Sequence, residues 1–91
     1  MIAMSVIYVE YIRDLFSSIL MLKPDSTEVL EKTIVDIPYD EIIIDFSGVK
    51  FMSIELAKEY SSIKQRSKKV VNEVNIPIDI EPIMSKASGF I

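Results

Sequence analysis

The side chains able to do chemistry in this chain are few, and their types narrow the field. There is no histidine and no cysteine. That removes the commonest general base, the commonest zinc ligands, thiol catalysis and disulfides. Two glycines, Gly48 and Gly89, cannot build a Walker loop or a dinucleotide-binding fingerprint. What remains is carboxylates, lysines, tyrosines and serines. Asp45 ends an apolar run, Ser47 and Gly48 follow it, Lys50 stands at a loop tip, and Ser53 and Glu55 open a helical pattern. Most of these have two readings. Asp45 is a ligand or partner contact, or a carboxylate accepting backbone N–H groups from the loop it starts. Ser53 is a phosphoacceptor at a helix N-terminus, where free N–H groups and the dipole favour a dianion, or a plain N-cap. Lys50 reaches a partner carboxylate or is solvated. Glu55 complements the dipole of the first helical turn. Glu55 and Glu59 share a face at i,i+4, but two carboxylates without a third ligand make a weak metal site. With no pairing of acid, base and nucleophile in view, we expect no metal, no cofactor and no enzymatic activity.

These residues must be placed by the elements around them. Glu41–Phe46 is a short apolar run rich in β-branched residues, the composition of a buried strand. Ser47 and Gly48 are turn chemistry, because glycine takes a positive φ without steric cost. Phe51 and Met52 are expected to re-enter the core. Ser53 then starts a helix with Leu56, Ala57, Tyr60 and Ile63 on one face. The centre of the chain is therefore strand, tight loop, helix. Activity in such a layer is expected at the loop, at the carboxyl end of the strand.

Asp45-Phe46-Ser47-Gly48-Val49-Lys50-Phe51-Met52-Ser53 resembles the central signature of STAS domains, the fold of the anti-sigma-factor antagonists. Where those antagonists continue Asp-Ser-Ser-Gly, this chain reads Ser53-Ile54-Glu55-Leu56, which is similar to the STAS-like domains of unassigned function. Leu15–Leu22 with the helix after it, and Val70 to Pro77 with a Val-Asn-x-Pro-like turn, are similar to further parts of that pattern. The resemblance implies a small mixed β-sheet with helices packed mainly on one face. It also implies a regulatory module that presents segment 45–60 to a protein partner, with Ser53 as its phosphorylation site. Two alternatives stay open: a subunit that self-associates as a homodimer, and a sensor that binds a nucleotide or other small ligand at the loop.

The rest of the chain fits one α/β domain spanning residues 1–91. The apolar fraction of 49% serves a well-filled core or an apolar contact surface. A net charge of −4 argues against nucleic-acid binding, which needs a basic footprint. The basic cluster Lys64, Arg66, Lys68 and Lys69 falls at a helix end, where it complements the dipole. No uncharged stretch reaches the roughly 18 residues of a membrane span, and Met1–Val9 lacks the basic start of a signal peptide. The expected compartment is the cytoplasm.

Ser5–Tyr11 reads as a first strand. Leu15, Phe16, Ile19, Leu20 and Leu22 suit one helical face, whereas the family resemblance implies a turn at Arg13–Ser18 and a second strand near Ile19–Leu22. Asp25 and Glu28 form a capping box before a helix through Asp36, with Glu28 and Lys32 as an i,i+4 pair. After the central helix, periodicity alone lets one rod run to Val74. The β-branched cluster before Pro77 and the family pattern instead place a strand at Val70–Asn75, which we expect. Asp79 is expected to cap a last helix with Pro82 in its first turn and Gly89 as its stop.

Overall fold

The computed structural model describes residues 6–89. Its elements run β1 (Ile7–Tyr11), α1 (Ile12–Leu15), β2 (Ile19–Leu20), α2 (Ser26–Ile34), β3 (Glu41–Asp45), β4 (Phe51–Met52), α3 (Ile54–Arg66), β5 (Val70–Val74) and α4 (Glu81–Ser88). Of the predicted first strand, Ser5 lies outside the described residues. The chain takes the two-element path after α3. The helix stops at Arg66, where Ser67 N–H donates to the carbonyls of Ile63 and Lys64, and the β-branched run forms β5.

The fold is α/β, and its strand pairs are all parallel where a mixed sheet was expected. β3 is central, with β1 and β5 on either side. Ile43 faces Val9 on one neighbour and Asn72 on the other. A second, shorter pair joins β2 to β4, Ile19 to Phe51 and Leu20 to Met52. This pair resumes the ladder of the same two chain segments after β1 and β3 part at Tyr11 and Asp45. Parallel neighbours need crossovers, and these are right-handed as a rule. Two steps in the same direction across the sheet therefore put α2 and α3 on one face.

The burial pattern agrees. Ile42 and Ile44 of β3 and Val71 of β5 point into the core, with Leu20 and Met52 from the short pair. Leu30 and Ile34 of α2 meet them from the helix side, with Leu56, Ala57, Tyr60 and Ile63 of α3. These are the faces the helical spacing marks, and each fully buried large aliphatic contributes about 1.5–3 kcal/mol. Phe46 and Tyr60 meet edge to face, with centroids 6.0 Å apart. α4 packs on α3 through Ile80 and Ala87.

The other face of the β1–β3–β5 sheet carries no helix among the described residues. Ile7, Val9, Tyr11, Val70 and Val74 are 37–56% exposed there. Parallel sheets ordinarily have both faces covered, so this face is unusual for its class.

Three caps differ from expectation. Asp25 precedes α2 but makes no side-chain cap, so the capping box does not form. The Ser26 hydroxyl instead accepts from Lys23 N–H at 2.7 Å. The N-cap of α4 is Ile80 rather than Asp79. Gly89 ends α4 at φ −72°, without the left-handed turn expected of a glycine stop. The Glu28–Lys32 pair is present at 3.0 Å, fully in solvent reach.

Candidate functional site

The site expected at the carboxyl end of the central strand is a closed hydrogen-bonded loop. Asp45 is 8% exposed. Its Oδ1 accepts from Ser47 N–H at 2.8 Å and from Ser47 Oγ at 2.5 Å. The Asn75 side-chain amide donates to both carboxylate oxygens at 3.2 Å. The Ser47 hydroxyl holds the Asp45 pKa below its ordinary 3.8, helped by Ser47 N–H and Asn75 against the opposing effect of burial. Asp45 is therefore a poor proton acceptor at neutral pH. Its work is to fasten the end of β3 to the loop after it and to the chain leaving β5.

Two residues turn the chain here. Gly48 has φ +79°, the conformation anticipated for it, and a Cβ there would fall 2.4 Å from Arg13 Nη1. The Arg13 side chain thus lies directly against the loop. Asn75 has φ +55°, which asparagine tolerates better than most residues. This turn places its amide beside Asp45.

The loop then docks on the short strand pair. Lys50 N–H donates to Ser18 O at 2.7 Å and Ser53 N–H to Leu20 O at 2.9 Å. Ser53 is the N-cap of α3, accepting from Leu56 N–H at 3.2 Å. It is buried, 8% exposed. In this structure Ser53 works as a cap, and a phosphate on it would require the packing around it to open. The side chains of Lys50 and Glu55 are exposed, as is Gly48. Of the residues singled out from sequence, Asp45, Ser47, Gly48 and Ser53 thus meet in one loop, while Lys50 and Glu55 stand at its surface.

Phe51 corrects the sequence reading. It is 47% exposed and does not re-enter the core, whereas Met52 is buried. Phe51 pairs with Ile19 across β2–β4, and Ile19, Met21 and Leu22 are each about half exposed. Alternation explains this. On a two-residue strand only one side chain can face the core, and Met52 takes that place.

Sequence reasoning missed three contributors. Arg13 and Asn75 become visible only when β1 and β5 are set beside β3, although the Val-Asn-x-Pro-like turn was a signal for Asn75. The third is a cluster at the other side of α3. Tyr60 OH donates to Glu73 Oε2 at 2.7 Å, and Lys64 Nζ lies 2.7 Å from the same oxygen. Burial, then the Glu73 charge and hydrogen bond, push the Tyr60 phenol well above its ordinary 10.0. This cluster borders a cleft of about 610 Å³ between α3, β5 and α4, with Glu81 and Met84 on its far wall. The cleft is thus at a different place from the loop at which a small ligand was expected. No group of three or more acidic side chains suited to a metal ion gathers among the described residues. None of the described helices is long and apolar enough to cross a membrane.

A scan of protein-family models, a search of curated proteins and a search of solved structures each gave no match to this chain.

Proposed function

We propose that this chain is a non-enzymatic, STAS-like interaction module that presents the loop after its central strand to a protein partner in the cytoplasm. One observation carries the reading. Phe51 and Ile19 form a half-exposed apolar pair, beside Met21, Leu22 and the exposed Lys50, on a loop whose backbone N–H groups at Phe46, Ser47, Val49, Lys50, Phe51 and Ser53 are hydrogen-bonded. Aromatic and methionine side chains are enriched at the centre of protein contacts, with polar and charged residues at the rim. A loop held by Asp45, Ser47, Gly48 and Ser53 loses little conformational entropy on binding. In this reading Ser53 acts as the cap that fixes the loop, and the resemblance of residues 45–53 to the STAS signature supports the same surface.

The test is site-specific photocrosslinking in the source cells. A photoreactive phenylalanine analogue replaces Phe51 in one variant and Lys86, on the exposed side of α4, in another. A discrete adduct from position 51 and none from position 86 supports the proposal. Equal adducts from both positions, or none from 51, would count against it.

A further inference from the structure

The open face of the β1–β3–β5 sheet adjoins the loop at Asp45, and its apolar side chains are not used by the reading above. Its rows are Ile7–Glu41–Val70, Val9–Ile43–Asn72 and Tyr11–Asp45–Val74. Apolar side chains dominate it, and five of them are 37–56% exposed. A contiguous exposed apolar patch rimmed by polar residues is often a contact site. Its only ionisable acids are Glu41 and Asp45, and none of its strand residues is Lys or Arg. Asp45 is engaged by Ser47 and Asn75. Glu41 is half-buried and has neither a hydrogen bond from its side chain nor an ion pair among the described residues.

We propose that this face docks an amphipathic helix of a protein partner, with its apolar stripe on Val9, Ile43 and Val70 and a Lys or Arg of the helix paired with Glu41.

Three arguments select this occupant. The outer strands lie about 10 Å apart, the width of one helix. In parallel α/β sheets this face is the one a second helical layer covers. The accessible charge among the strand residues of the face is the Glu41 carboxylate, since Asp45 is buried and engaged, so a helix carrying Lys or Arg at that corner is attracted. A second copy of this chain would bring acidic face against acidic face.

The test uses two synthetic peptides of about 14 residues, long enough at ~21 Å to span the strands. Both carry the same leucine stripe. One has Lys and Arg on its flanks and the other has Glu. Binding is read by fluorescence anisotropy and by amide chemical shifts of the labelled full chain. The basic peptide is expected to bind about ten-fold tighter than the acidic one and to move amides in β1, β3 and β5. Val9→Thr/Val70→Thr keeps β-branched residues on exposed positions and should weaken binding about ten-fold. Glu41→Lys should reverse the preference towards the acidic peptide, an outcome that misfolding cannot mimic. Equal affinity for both peptides, no binding, or shifts confined to residues 46–53 would overturn the proposal. A dimer in sedimentation that Val9→Thr/Val70→Thr dissociates would overturn it too, by making a second copy the occupant. Failure here leaves the crosslink at position 51 intact, so the two readings can fail separately.

Discussion

Replacing Asp45 with asparagine tests the core of the loop. The carboxylate accepts from Ser47 N–H at 2.8 Å, from Ser47 Oγ at 2.5 Å, and from the Asn75 amide at 3.2 Å. Hydrogen bonds to a charged acceptor contribute about 1.5–3 kcal/mol, against roughly 0.5–1.5 for neutral pairs. Asp45→Asn keeps one carbonyl oxygen for Ser47 but neutralises it, and sets an NH₂ group against the donor of Asn75. The expected loss is about 1–3 kcal/mol. In a domain of this size each kcal/mol moves the melting temperature by roughly 4–8 °C. The pH dependence gives a sharper test. The folded pKa of Asp45 lies below its unfolded value near 3.8, so the folded state favours the ionised form. Its stabilisation is fully present above the unfolded pKa and is lost as pH falls through the folded value. Urea melts of wild type and Asp45→Asn should therefore differ most near neutrality and converge in acid. A constant difference across that range would refute the assignment of Asp45 as an ionised latch.

Other substitutions probe separate parts of the account. Gly48→Ala places a Cβ in a left-handed conformation against the Arg13 guanidinium and should cost about 1–2 kcal/mol by urea midpoint. In an Arg13→Ala background the steric part should disappear while the backbone part remains. Ser53→Ala removes the cap of α3 and should cost about 1 kcal/mol, with loss of helical ellipticity at elevated temperature. Tyr60 should resist ionisation in an alkaline titration followed by phenolate absorbance, because its folded pKa is raised. Its contribution to stability is present below the unfolded pKa and is lost as pH rises above it, and Tyr60→Phe should flatten that alkaline decline. Arg66→Ala breaks only a half-exposed pair with Glu31 at 3.2 Å and should change the urea midpoint by less than about 0.5 kcal/mol.

Much of the architecture was legible because local and global preferences coincide. Glu41–Asp45 is β-branched and flanked by turn residues. Leu56, Ala57, Tyr60 and Ile63 mark one helical face, and Ser53 sits where a cap is needed. The positive φ of Gly48 followed from its type. Other features depend on neighbours that one stretch of sequence does not reveal. Phe51 has the composition of a core residue, yet its register opposite Ile19 turns it outward. The capping box at Asp25 does not form, while the Ser26 hydroxyl accepts from Lys23 N–H ahead of the helix. Strand direction was not readable from composition, and the parallel order follows from two crossovers in one direction. The partners of Asp45 come from both sides of the loop, and Asn75, 30 residues downstream, reaches it only through the pairing of β3 with β5. The one-sided placement of the helices is the arrangement the resemblance implies, but which strand residues it leaves bare was not readable, because Val9 and Val70 have core-like composition and yet are about half exposed.

We propose that the loop at Lys50 and Phe51 is a protein contact. The most direct measurement is affinity capture from the source-cell extract, comparing wild type, Lys50→Glu/Phe51→Ser, and Lys86→Glu as a remote control. All three must first show the same urea midpoint. Wild type and the control are expected to hold a stoichiometric partner that the loop variant loses. The same partner retained equally by all three, or no partner with any of them, would contradict it.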